Sequence, residues 1–135
     1  MSLHIAIIYG SVRDARAGFR VVRFLEAALR RRGHTTHVVD AAEQRLPLIN
    51  RMYKEYERGT APPVLEALAA LYRKVDAFAI VRGEYNHGIP PGLKNLREQL
   101  NRRRSPLMRP TPISWMPAGA VPRRLSRAAT RSDPT

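Results

Sequence analysis

Leu3-His4-Ile5-Ala6-Ile7-Ile8-Tyr9 is a short, nearly unbroken apolar run, rich in β-branched residues and ended by Gly10. Too short for a helix and without polar alternation, it describes a strand buried on both faces, as in a parallel sheet. A strand of that kind needs helices on either side of it. The next residues supply one. Phe19, Val22, Leu25 and Leu29 recur at spacings of three and four within residues 17–32, with Arg20, Arg23, Glu26, Arg30 and Arg31 mostly opposite. Arg30-Arg31-Arg32 falls in the last turn, where cations suit the negative end of the helix dipole, and Gly33 is a natural stop. This basic cluster therefore reads as helix capping rather than as a nucleic-acid patch.

The pattern then repeats. Residues 34–40 (HTTHVVD) form a second strand, and residues 41–60 a polar connection containing Pro47, Asn50 and Gly59. The middle of that connection, residues 46–53, keeps more apolar groups than a plain linker needs. Pro62-Pro63 opens a helix with Leu65, Leu68, Leu71 and Tyr72 as its inward stripe. Residues 76–82 (DAFAIVR) read as a third strand, and Pro90-Pro91 starts a helix with Leu93, Leu96 and Leu100 facing inward. The order β-α-β-α-β-α with short βα turns predicts a parallel sheet with right-handed crossovers. No internal repeat is present.

Charge divides the chain in two. Twenty-four Lys and Arg against 11 Asp and Glu give a formal net charge of +13, a balance that by itself suggests a polyanionic partner. Residues 1–101 carry 16 basic and 10 acidic side chains, whereas residues 102–135 carry eight basic and one acidic. Six of the 11 prolines also lie beyond residue 101, and every cation there is Arg. Prolines at that density remove backbone donors and block a helix or central strand. Only residues 112–116 (PISWM) could form an extended edge strand. The domain reading is thus 1–101 as the folded unit and 102–135 as a basic, Pro/Arg-rich, irregular tail. Three accounts of the tail stay open: a solvated basic extension, a lost reading frame near residue 102, or a segment that binds polyanions.

Several function classes drop out. At 135 residues the chain accommodates one domain. Without cysteine there is no thiolate ligand, Cys nucleophile or disulfide. His4, His34, His37 and His87 lack metal-ligand spacing, so no metal is expected. No apolar run approaches the roughly 18–20 residues of a membrane span, and the start lacks a basic segment ahead of an apolar one, so a cytoplasmic protein is expected.

In sheets of this type ligands bind beyond the carboxyl ends of the strands, where strand order reverses. Two βα turns carry unusual chemistry there. Residues 10–18 (GSVRDARAG) offer a hydroxyl, two guanidiniums and glycine-permitted backbone at a helix N-terminus, which together favour a phosphate. The turn is neither GxGxxG nor a Walker loop, and an ordinary polar loop is the competing reading. Residues 83–92 (GEYNHGIPPG) bring the aromatic surface of Tyr85, an Asn86 amide able to donate and accept, and backbone N–H groups that can face a heterocycle. Alone, His87 fits a turn residue better than a base. No nucleophile, base and orienting group occur together, so no catalytic side chain is assigned.

Residues 5–13 (IAIIYGSVR) and 84–96 (EYNHGIPPGLKNL) closely resemble the NADPH-dependent FMN reductase family of flavodoxin-like flavoproteins, and residues 46–56 (LPLINRMYKEY) resemble one branch of it. The resemblance covers about residues 3–101. It implies an α/β, flavodoxin-like three-layer fold with a parallel sheet. Such a sheet has five strands in order 2-1-3-4-5, of which this chain supplies three in order 2-1-3, so the fold is expected to be incomplete. The resemblance further implies that Ser11 and Arg13 bind the FMN phosphate, with Arg16, Gly18 and Phe19 nearby. Glu84, Tyr85, Asn86 and His87 would contact the flavin ring, mainly through backbone. Gly83 stands where the family has Pro. The implied activity is hydride transfer from NAD(P)H to bound FMN and on to a small acceptor such as a flavin or quinone, in a homodimer or homotetramer. Nucleic acid and membranes are not expected partners of this domain. The alternatives are an inactive, truncated flavodoxin-like chain or a module that binds polyanions through its tail.

Overall fold

The computed structural model describes residues 1–100. The expected edge strand at 112–116, and the whole reading of 102–135 as a tail, lie outside these residues. Three strands, β1 (His4–Tyr9), β2 (Thr35–Asp40) and β3 (Ala77–Val81), alternate with three helices, α1 (Phe19–Arg31), α2 (Pro63–Lys74) and α3 (Pro91–Gln99). The sheet has the order β2-β1-β3, and both pairs are parallel. The fold class expected from the sequence is therefore present over the described residues.

β1 is central and buried along most of its length because it is covered on both faces. Ile7 and Tyr9 point to one side, where Val22, Phe19, Leu25 and Leu29 of α1 meet them. Ile8 points to the other, into a larger cluster with Val39, Leu65, Leu68, Ala69, Leu93, Leu96 and Leu100. The apolar stripes that mark α1, α2 and α3 in the sequence are the surfaces that cover the sheet.

α1 begins at Phe19 rather than Ala17, because the Phe19 amide bonds the Arg16 carbonyl and turns the chain before the helix. It ends as expected at Gly33, whose φ of 82° is the left-handed conformation of a helix stop, with the Gly33 amide on the Arg30 carbonyl. Arg30 does more than face the dipole: it contacts Glu26 at 2.7 Å and Thr36 Oγ1 of β2 at 2.8 Å.

The polar connection between β2 and α2 is strapped to α3. Asn95 Nδ2 and Gln99 Nε2 donate to the Pro47 carbonyl at 2.8 and 2.7 Å, and the Ile49 amide donates to Asn95 Oδ1 at 2.9 Å. Leu46, Tyr53 and Tyr56 pack on the larger core cluster. Tyr53 opens a short 3-10 turn, Tyr53–Glu55, that the periodicity does not reveal. Among the described residues no helix is long and apolar enough to cross a membrane.

Candidate functional site

β1 and β3 are neighbours in the sheet, so the turns that follow them emerge side by side at its carboxyl edge. The chain leaves β1 for β2 on one side and later crosses to β3 on the other, which makes this the switch point where α/β sheets bind ligands.

The turn after β1 meets the end of β3, the second turn and the start of α3. Gly10 donates its amide to the Val81 carbonyl at 3.0 Å. A β-carbon on Gly10 would lie 2.7 Å from Leu93 Cβ, and one on Gly92 would run into the Val12 side chain. The start of α3 thus seats directly against the turn after β1, and only hydrogen at these two positions allows it. Ser11 Oγ and Tyr85 Oη share a 2.6 Å hydrogen bond, and the Arg13 guanidinium stands 5.9 Å from the centre of the Tyr85 ring. Attraction between cation and aromatic face at that distance favours this placement.

Within the first turn the expected residues divide. Ser11 is buried, whereas Arg13 is exposed and forms no ion pair with any described residue. No backbone hydrogen bond runs from the amides of residues 11–15 to another described residue. A row of free N–H groups ahead of a helix, with one hydroxyl and one free guanidinium, suits a phosphate. Arg16 is placed differently. Its Nη1 contacts Asp40 Oδ2 at 2.5 Å, and its guanidinium lies 5.6 Å from the Tyr9 ring and 5.7 Å from the Phe19 ring. The Asp40 hydrogen bond raises the Arg16 pKa above its ordinary value, against a smaller opposing effect of desolvation. Gly18 precedes α1 and lies close to the Tyr9 hydroxyl, while Phe19 packs edge-on to Tyr9.

The second turn is a tight reverse turn. Tyr85 and Gly88 exchange amide–carbonyl hydrogen bonds of 3.2 and 2.9 Å, and Asn86 and His87 between them have φ of 48° and 59°. Positive φ at both central residues defines a type I′ turn. Glu84 Oε1 lies 3.0 Å from His87 Nδ1, and the His87 side chain is otherwise in solvent. Arg82, Glu84, His87, Gly88 and Ile89 line a shallow concavity of about 310 Å³.

Every residue singled out in the sequence therefore lies on one of the two adjoining turns or at the start of α1. The structure adds Asp40, Tyr9, Gly92 and Leu93. Asp40 had a visible signal: a carboxylate follows Val38-Val39 at the carboxyl end of β2, the ligand-binding edge of the sheet.

The NADPH-dependent FMN reductase model matches residues 3–133, running past residue 101, where the resemblance read from the motifs stops. The chain belongs to that family. Solved structures share its fold, two of them as follows. An NAD(P)H:quinone oxidoreductase from Methanothermobacter marburgensis is 20% identical, with a TM-score of 0.61 over 74% of this chain and 54% of its own. Smu.1420 from Streptococcus mutans UA159 is 18% identical, with a TM-score of 0.59 over 73% of this chain and 53% of its own. The chain's match thus spans about half the length of these structures. No curated protein matches it.

Proposed function

We propose that this FMN reductase family chain binds FMN across the two turns and serves as an NAD(P)H-dependent oxidoreductase toward a small acceptor such as a flavin or quinone. One observation carries the reading: the phosphate-type turn and the tight turn after β3 are direct neighbours, joined through Ser11 and Tyr85. When bound, FMN would supply the hydride-accepting and hydride-donating chemistry, which is why no catalytic acid or base is needed.

The chain's own residues supply position and electrostatics. Ser11, Arg13 and the amides of residues 11–15 would hold the phosphate, Arg13 offsetting its charge. The exposed edge of the Glu84–His87 turn would present backbone groups to the ring. Arg16, Gly18 and Phe19 would lie near the phosphate, packed about Tyr9. Tyr85 joins the two halves, so its hydroxyl belongs with the phosphate side and its backbone with the ring side. A cytoplasmic homodimer or homotetramer completes the proposal.

The purified 135-residue chain is expected to retain FMN, with a flavin absorbance band, and to oxidise NAD(P)H only in its presence. Protein that shows no thermal protection by FMN at any concentration would refute the reading.

A further inference from the structure

Asp40 is the last residue of β2 and only 2% of it is exposed. Its Oδ1 accepts the Ala42 amide at 3.0 Å, and its Oδ2 meets Arg16. A carboxylate this deeply buried is costly to leave without its cation. Arg16 reaches it from the helix-proximal end of the phosphate-type turn. The same guanidinium rests on Tyr9, the last residue of β1, and on Phe19, the first of α1. The Arg16 carbonyl meanwhile accepts the Phe19 amide at 3.1 Å. One side chain therefore ties the turn to both strands and to the helix that follows.

The free amides of residues 11–15 span the gap between two fixed points. Gly10 is held by Val81 and Leu93, and Arg16 by Asp40. An anion bound by a row of backbone N–H groups depends on the curvature of that row. The two arginines accordingly have separate tasks: Arg13 is exposed and has no ion pair among the described residues, and Arg16 is committed inward.

We propose that Asp40 is a positioning residue for phosphate recognition, acting through Arg16, which sets the arc of the turn rather than touching the phosphate. The proposal rests on the FMN reading above. It makes Asp40 and Arg16 determinants of the preference for FMN over riboflavin, which differ only in the phosphate.

The test is a double-mutant cycle on the full chain with Arg16→Gln, Asp40→Asn and the double variant, titrating FMN and riboflavin by fluorescence quenching. Each single variant is expected to reduce the FMN-to-riboflavin affinity ratio by about tenfold, and the double variant by no more than either, since residues of one unit are not additive. A general loss of stability would weaken both ligands alike and leave the ratio unmoved. An unchanged or increased ratio in Asp40→Asn, or losses that add in the double variant, would overturn the proposal. Should Asp40→Asn not fold, Arg16→Lys decides. Lysine keeps the charge but not the planar group that lies against Tyr9 and Phe19, so the ratio falls if Arg16 acts by position and holds if it binds phosphate directly. A wild-type chain with no preference for FMN would overturn the reading of the site itself, and this inference with it.

Discussion

Tyr85 Oη lies 2.6 Å from Ser11 Oγ although the two residues are 74 positions apart. The contact joins the turn after β1 to the turn after β3, and it occupies the one hydroxyl that the first turn offers to an anion. Binding a phosphate there exchanges a neutral hydrogen bond for one to a charged group, worth about 1.5–3 kcal/mol. Ser11→Ala is expected to weaken FMN by about tenfold or more on that scale, with riboflavin little changed. Tyr85→Phe, which leaves Ser11 in place, should cost FMN less than threefold, roughly the lower end of a neutral hydrogen bond. Calorimetric titration of both ligands checks the pair.

Gly10→Ala should destabilise the fold. Its added methyl would sit 2.7 Å from Leu93 Cβ, itself buried against the sheet. Overpacking of this kind costs about 1–3 kcal/mol, and urea denaturation should show a lower midpoint with an unchanged slope.

His87→Gly should have the opposite sign. His87 adopts a φ of 59° while its side chain lies in solvent, so its left-handed backbone is offset by little packing. Glycine removes a steric cost of about 1 kcal/mol or somewhat more, less a small loss of the Glu84 contact. The expected result is a higher denaturation midpoint, measured without ligand.

Tyr72 makes stability depend on alkaline pH. Burial beside Phe78, with ring centres 5.0 Å apart, pushes its phenol well above the ordinary value of 10.0. In the unfolded chain the phenol ionises near pH 10, while the folded chain resists ionisation, so the unfolded state releases protons first. The stabilisation is complete below that pH and declines above it. Melting curves should fall steeply above about pH 10, and less steeply in Tyr72→Phe.

Much of this architecture was legible because its signals are local. β1 announces itself through seven residues with no polar alternation, and α1 through one stripe of four. The start of α1 was set two residues early, since the Arg16–Phe19 turn that delays it leaves no trace in the apolar spacing. The two site turns were legible as glycine-bounded polar breaks after strands. The Arg16–Asp40 contact was not. It arises because parallel pairing sets Tyr9 opposite Asp40, a register no sequence spacing displays. The tight geometry at Asn86-His87 was equally hidden, because the Gly that usually follows Asn in a turn of this type is absent.

The strap from Leu46 to Asn50 is fastened by side chains of α3 instead of by a β-ladder. Asn95 and Gln99 together supply all three of its cross-chain hydrogen bonds to α3. Any fluctuation that lifts that helix therefore releases the strap in the same event. Amide exchange and protease nicking at these two separated stretches should follow a common opening free energy, although Ile49 and Asn95 are 46 positions apart.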